Sequence, residues 1–441
     1  MEAKDRLILA LDVPDMKMAI PLLDKLQGKV GMVKVNSLAS ACPEIVQEIK
    51  SRGLKVWRDQ KHFDIPGTVS NFIVADINVG IDMTTVHALG GEKMMQAAVV
   101  ERFAKSAYDM KILGITILTS YDKDSFNKEL GITGEIEDTV RRLACLAESS
   151  GLDGVVASPK EAKMLRAILK PETLIVTPGI TPSFATKRED QARVATPKQA
   201  IMDGADYIVV GSAIYKSEDP AEAADKIVAE IEEGLKELRR RHLALALYDC
   251  GAIKFGAFRL KLHDTQPEAP LSPFYINLRI LRSLPNLLDQ VAEAMLEKNQ
   301  EDKIDFDIFS DIPTAVTPIV SVMVHKSKIP MISPKISKTH GLAGDIDGLY
   351  EPGQKVLLVD DLVTKADSKI EAAQVLGKNK LIVKDIIVLF DREQGGEEAL
   401  LQAGYKLHAV FKMGDTLKLY LDEGKIDQTK YDETVAYLKD N

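Results

Sequence analysis

The sequence predicts an α/β protein in two parts, an N-terminal (β/α)8 TIM barrel followed by a second α/β domain. Eight short apolar runs, each trailed by a helix-like segment, fill roughly the first 215 residues, which is the length and rhythm of a closed barrel. The stretch EDPAEAADKIVAEIEEGLKELRRRHLALAL, residues 218–247, is then a charged helical pattern with no strand in it, and new strand candidates follow. Domains over residues 1–235 and 236–441 are expected.

The barrel strands are expected at LILALDV (7–13), MVKV (32–35), KVWRD (55–59), DMTTVH (82–87), ILGITILT (112–119), GVVAS (154–158), LIVTPG (174–179) and YIVVG (207–211). Segments such as IVQEIKSRG and PKQAIMDGA supply the intervening helices. A doubly wound sheet is the structural rival, but the even spacing of the units favours closure. Beyond residue 248, buried strands are expected at FDIF (306–309), KVLLVDD (355–361), DIIVLFD (385–391) and KLHAVFK (406–412).

Composition narrows the class. With 441 residues, 45% hydrophobic and 28% charged, the chain is long enough for two cores. It holds no apolar run able to span a bilayer. The opening MEAKDRLILALDVP has a short apolar part that runs into Asp12, so it reads as a buried strand rather than a secretion signal. Cys42, Cys145 and Cys250 are scattered without metal or disulfide spacing, and YLKDN carries no peroxisomal address, so a cytoplasmic protein is expected. A net charge of −9 argues against a general nucleic-acid surface. GLKELRRRH accordingly reads as a solvated helix face.

In a barrel, the C-terminal strand ends face the site. Asp12, Lys34, Asp59, Lys61 and His87 all fall there, and VWRDQKHFDIPGTV (56–69) adds Asp64 just beyond. Alternating ammonium and carboxylate groups are costly to bury unless each is paired. An ordinary salt-bridge cluster is the plain reading of one DxKxxD. Lys34, at another strand end, argues for a built array. His87 reads as a satisfied hydrogen-bonded histidine, His62 as facing the helix layer, and Trp57 as core.

LILALDVP, MVKV, DxKxxDIPxTV, TVHALGG, ITILTS, VTPGI and DQARVATP…GADYIVVG, in that order across residues 6–216, resemble orotidine 5′-monophosphate decarboxylase. The resemblance implies that Lys34, Asp59 and Lys61 form the charged array, while Asp64 and Thr68 reach into the neighbouring subunit's site of a dimer. It also implies that Asp12 binds ribose, Ser120 reads the pyrimidine edge, and Pro178 of VTPG lies against the substrate. Gln191 and the backbone of Gly211 would hold the phosphate. The chemistry needs no cofactor: an ammonium beside the ring carbon stabilises the charge left by departing CO2 and then donates a proton, the role expected of Lys61. Ser212 stands where the family reads VVGR, and it offers one neutral hydrogen bond in place of a guanidinium. A charge-assisted bond contributes on the order of 1.5–3 kcal/mol, so a weakened decarboxylase is expected. GITP for GIRP and VKVN for VKVG are further departures. Lys187, Arg188 and Arg193, after the seventh strand, are candidates to compensate.

YDCGAIKFGAFRLK, SPFYINLRIL, IPMI…KISKTHG, KVLLVDDLVTKADSK and IVLFDREQGG, over residues 246–439, resemble orotate phosphoribosyltransferase, which implies a type I phosphoribosyltransferase α/β domain. Under it Asp360 and Asp361 grip the ribose of phosphoribosyl pyrophosphate and Thr364 lies in the phosphate loop. Lys261, Lys335, Lys338 and His340 address the pyrophosphate, Tyr275 and Arg392 line the orotate site, and Mg2+ accompanies the pyrophosphate. Here too the pattern departs. Ala366 and Asp367 enter a loop that normally reads TTGGS or TAGTA, and Asp311 replaces a glycine of the pyrophosphate loop. PKISK lacks the mobile loop's arginine, and Ala257 replaces an acid.

The two resemblances together imply a bifunctional UMP synthase of inverted order, a homodimer or tetramer acting on orotate, phosphoribosyl pyrophosphate and orotidine 5′-monophosphate. A catalytically reduced paralogue that binds nucleotides or a protein partner stays open, as does another DxKxxD barrel enzyme such as a hexulose-phosphate synthase.

Overall fold

The computed structural model describes residues 1–185, 195–259, 268–335 and 345–440. Gln191, Lys261, Lys338 and His340 lie outside the described residues, as do Lys187, Arg188 and Arg193. The chain divides into two compact units, Met1–Leu238 and Arg239–Asn441. The division falls inside the helix Pro220–Asp249, whose Ala224, Ile227 and Ile231 belong to the first core and whose Leu243, Ala244 and Leu247 belong to the second.

In the first unit, β1 (Leu7–Ala10), β2 (Met32–Val35), β3 (Lys55–His62), β4 (Met83–His87), β5 (Lys111–Ile115), β6 (Gly154–Val156), β7 (Leu174–Thr177) and β8 (Tyr207–Val210) close into a parallel barrel. β1 pairs with both β2 and β8, so the sheet has no edge. Alternation along each strand sends Ile8, Met32, Trp57, Met83, Leu113 and Val176 inward, where they pack the barrel interior. Their neighbours Leu9, Val33, Val56, Val86, Ile112 and Ile175 go outward beneath the helices. Gly154 is required by packing: a Cβ there would meet the Leu174 carbonyl oxygen at 2.3 Å. All eight expected strands are present. Most stop earlier than the apolar pattern suggests, because the chain leaves the barrel once it no longer has a neighbour to pair with. β3 instead runs three residues beyond Asp59, to His62.

The second unit holds a six-stranded sheet in the order β13 (Ile346–Asp347), β12 (Met331–Pro334), β11 (Ile308–Asp311), β14 (Lys355–Val363), β15 (Ile382–Asp391) and β16 (Lys406–Lys412), with an antiparallel pair of β9 (Ile253–Phe258) and β10 (Ser272–Ile276) beside it in the sequence. All ladders of the larger sheet are parallel except β12 with β13. Its central strand is apolar on both faces: Leu357 and Val359 enter one core and Val356 and Leu358 the other. Strand order reverses between β11 and β14, the place where open α/β sheets bind ligands.

Candidate active site

β3 builds the first site. Trp57, Asp59 and Lys61 share its inner face, and Arg58 and His62 its outer one. Lys61 Nζ lies 2.7 Å from Asp59 Oδ2, and Lys34 Nζ, from the end of β2, lies 3.8 Å from the same oxygen. Lys34 is also 3.5 Å from Asp12 Oδ1, beyond the end of β1. The order Asp12–Lys34–Asp59–Lys61 therefore alternates in sign across three adjacent strands. Asp59 is buried, and its second oxygen accepts the Thr85 hydroxyl at 3.0 Å. Each charge of the array faces a partner of opposite sign, which offsets the cost of burying it.

The array forms part of the wall of a cavity of ≈ 780 Å³. Asp12, Lys34, Asp59 and Lys61 line one side; Ser120, Pro178, Gly211 and Ser212 line others, and Trp57 is part of the wall. The structure thus brings together all the described barrel residues expected at the site except Asp64 and Thr68. Asp64 is exposed, accepting the Ile65 amide at 2.7 Å, and lies with Phe63 and Phe72 in a second depression that Lys61 also lines. Thr68 sits half-buried in the first turn of the helix Pro66–Val79. His87 accepts the Leu89 amide at Nδ1 (3.3 Å), and burial, then the charge of Lys61, lowers its pKa, so it is neutral at pH 7.

The outer face of β3 is tied down independently. Buried Asp76, on the helix Pro66–Val79, accepts Arg58 at 3.0 Å and the Thr84 hydroxyl at 2.6 Å, with His62 Nε2 at 3.3 Å. The His62 ring stacks on Phe72 at 4.6 Å. Sequence reasoning missed three residues here. Asp76 and Thr85 were legible only through strand and helix facing. Lys216 lines the cavity one turn after Ser212, at the end of the short helix Ser212–Tyr215.

In the second unit, the reversal point carries Asp311 on β11 and Asp360 on β14. Both already have partners. Lys369 Nζ lies 2.5 Å from Asp360 Oδ2, with both side chains buried. Asp311 accepts the hydroxyls of Ser333 (2.5 Å) and Thr317. Burial, then the charge of Asp360, pushes Asp361 up to about 6. Ala366 takes a left-handed conformation at φ 71°, a strained position for a residue with a Cβ, and Asp367 opens the following helix on an exposed turn. Thr364 is half-buried, its carbonyl against Gly396, where a Cβ would approach to 2.4 Å.

Lys335 pairs with Asp347 at 2.9 Å, where β12 and β13 run side by side. Arg392 is buried with its guanidinium 4.3 Å over the Phe274 ring, and Nη2 donates to Ser272 Oγ at 3.2 Å. Tyr275, the residue after Phe274 on β10, alternates to the other face of that strand, 5.7 Å from Phe258. Burial pulls Arg392 down to about 10, which leaves it charged at neutral pH.

Most of the comparisons with known proteins bear on the first unit. The model of the orotidine 5′-phosphate decarboxylase / HUMPS family matches residues 5–227. Orotidine 5′-phosphate decarboxylase of Moorella thermoacetica is 44% identical over 238 residues, covering 53% of this chain and 94% of its own. That of Trichlorobacter lovleyi is 44% identical over 240 residues, 53% of this chain and 98% of its own. Among solved structures, UMP synthase of Leishmania donovani covers 100% of this chain and 98% of its own at 23% identity and a TM-score of 0.47. Orotidine 5′-phosphate decarboxylase of Lactobacillus acidophilus covers 51% of this chain and 98% of its own at 35% identity and a TM-score of 0.46.

Proposed function

Because the chain belongs, through residues 5–227, to the orotidine 5′-phosphate decarboxylase / HUMPS family, we propose that its barrel decarboxylates orotidine 5′-monophosphate to UMP. The observation that carries this reading is Asp59 held between two ammonium groups in the cavity wall. A substrate carboxylate placed against Asp59 is repelled in the ground state. As the C6–CO2 bond breaks, CO2 departs with no cofactor to take the electron pair. That pair stays on C6, where the Lys61 ammonium stabilises it and then delivers a proton, which the amine regains from water. Lys34 holds Asp59 in place.

Ser120 and Pro178 are assigned to the pyrimidine, Asp12 to ribose, and Gly211, Ser212 and Gln191 to the phosphate. Asp64 and Thr68 are assigned to the site of a second copy in a homodimer or tetramer. Exposed Phe63 and Ile65, on either side of Asp64, support a covered surface there. The family name also admits hexulose-phosphate chemistry. The relatives at 44% identity are described as decarboxylases, which favours the pyrimidine substrate. The test is CO2 release from orotidine 5′-monophosphate beside an assay with ribulose 5-phosphate and formaldehyde. Activity only in the second assay would reverse the assignment.

For the second unit the transferase reading, orotate plus phosphoribosyl pyrophosphate giving orotidine 5′-monophosphate, rests on its motifs. One observation favours the reduced, nucleotide- or partner-binding reading: the acids at the reversal point are already engaged by Lys369, Ser333 and Thr317. The donor set suits a protein-held Mg2+ poorly for the same reason. Among the described residues no group of three or more His, Cys, Asp or Glu side chains is placed to hold a metal. Pyrophosphate release that depends on both orotate and Mg2+ would establish the transferase; its absence would leave the binding reading. No helix among the described residues is long and apolar enough to cross a membrane.

A further inference from the structure

Lys61 has a positive φ of 52°, a strained conformation for a residue with a Cβ. It also lies where the ladder between β3 and β4 loses register, between Arg58 and His62. Its amide therefore has no strand partner. Instead it donates to Thr85 Oγ1 at 2.8 Å. An amide can only donate and a carboxylate can only accept, so the direction of the next bond is fixed: the Thr85 hydroxyl donates to Asp59 Oδ1 at 3.0 Å. Asp59 Oδ2 then receives Lys61 Nζ at 2.7 Å. The result is a closed ring that leaves the Lys61 backbone, passes through one hydroxyl and one carboxylate, and returns to the Lys61 ammonium.

Resting on the decarboxylase reading, we propose that Thr85 is a positioning residue for this reaction. Its hydroxyl sets the rotation of the Asp59 carboxylate and the left-handed backbone of Lys61 together, and so aims the proton-donating ammonium. The side chain is fully buried on a central strand, and a β-branched residue there has a stiff χ1, so the hydroxyl is held in place. Thr84, one residue earlier, points the other way and bonds Asp76, so the pair of threonines ties β4 to both faces of β3. Without the Thr85 hydroxyl, Asp59 Oδ1 loses its donor and the carboxylate is held through Oδ2 alone, and the Lys61 amide loses its acceptor.

The test uses the full chain with Thr85→Val, which keeps the shape and removes the hydroxyl, and Thr85→Ser, which keeps the hydroxyl. Turnover of orotidine 5′-monophosphate, UMP affinity and exchange of the Lys61 amide are measured for each. Trp57, the single tryptophan and part of the cavity wall, reports UMP binding by fluorescence. Thr85→Val is expected to lower kcat by on the order of 100-fold while UMP affinity changes by no more than about threefold, and Thr85→Ser to recover most of the rate. The Lys61 amide exchanges faster in Thr85→Val. Unchanged kcat in Thr85→Val, a loss that serine does not rescue, or an equal loss of UMP affinity overturns the proposal. Wild-type protein that releases no CO2 removes the decarboxylase reading alone. The exchange rate then still decides whether Thr85 holds Lys61 in place, and an unchanged rate overturns it.

Discussion

Lys369 Nζ sits 2.5 Å from Asp360 Oδ2, a pair buried on both sides at the point where the second sheet reverses its strand order. A ligand that needed the Asp360 carboxylate would have to displace an ammonium supplied by the protein's own next helix. Removing only one partner leaves a bare charge inside. Lys369→Met should therefore destabilise the second unit by about 3–5 kcal/mol in calorimetric unfolding, and Asp360→Asn added to it should recover most of the loss. A stability unchanged in the single variant would mean that the pair opens to water.

Asp361 gives this unit a pH dependence of defined sign. Its folded pKa, about 6, stands above the ordinary 3.8, so the folded state binds the extra proton between those values. Stability from this group is present at low pH and is lost as pH rises from about 4 through about 6, an effect of about 3 kcal/mol. Asp361→Asn should flatten that part of the curve and raise stability at pH 7. Calorimetric scans from pH 4 to pH 8 on both proteins check it.

Lys61→Ala removes the proton donor and should reduce CO2 release by on the order of 1,000-fold or more. UMP binding, read through Trp57, should persist. A variant that still turns over at the wild-type rate would end the proposed mechanism.

If Asp64 serves a second copy, Lys61→Ala and Asp64→Ala proteins, each inactive, should regain activity when their subunits are exchanged. One of the two sites in each hybrid then draws Lys61 from one chain and Asp64 from the other, while its twin lacks both. Failure to recover with confirmed exchange would confine Asp64 to its own chain.

Lys216 lines the cavity beyond Ser212 and makes no ion pair among the described residues, whereas Lys34 and Lys61 are both engaged by aspartates. Lys216→Gln should raise KM for orotidine 5′-monophosphate by roughly ten- to a hundredfold, the loss of one charge-assisted bond. The effect should shrink for the nucleoside, which has no phosphate.

The barrel was legible because its strands are buried runs at regular intervals, and the array because charged residues at strand ends have one place to point. Asp76, Thr85 and Lys369 were not. Each acts through a partner on another element, and a threonine inside an apolar strand or a lysine in a helix looks ordinary until the chain has folded. The strands β9, β10, β12 and β13 escaped for another reason: MISP and the two-residue β13 are too short for a period, and IKFGAF mixes glycine and charge. Extended apolar length, the signal that marked β14 and β15, is a property of strands covered on both faces.

Asp311 has a consequence for how this chain can change. Its carboxylate satisfies the hydroxyls of Ser333 and Thr317 in a fully buried position. Glycine in its place would strand both hydroxyls and open a hole, at about 1–3 kcal/mol for each unmet group. Any path to a more open loop here passes through a less stable intermediate unless the three positions mutate in concert. The cluster is self-locking, since each of its three side chains constrains what the other two can become.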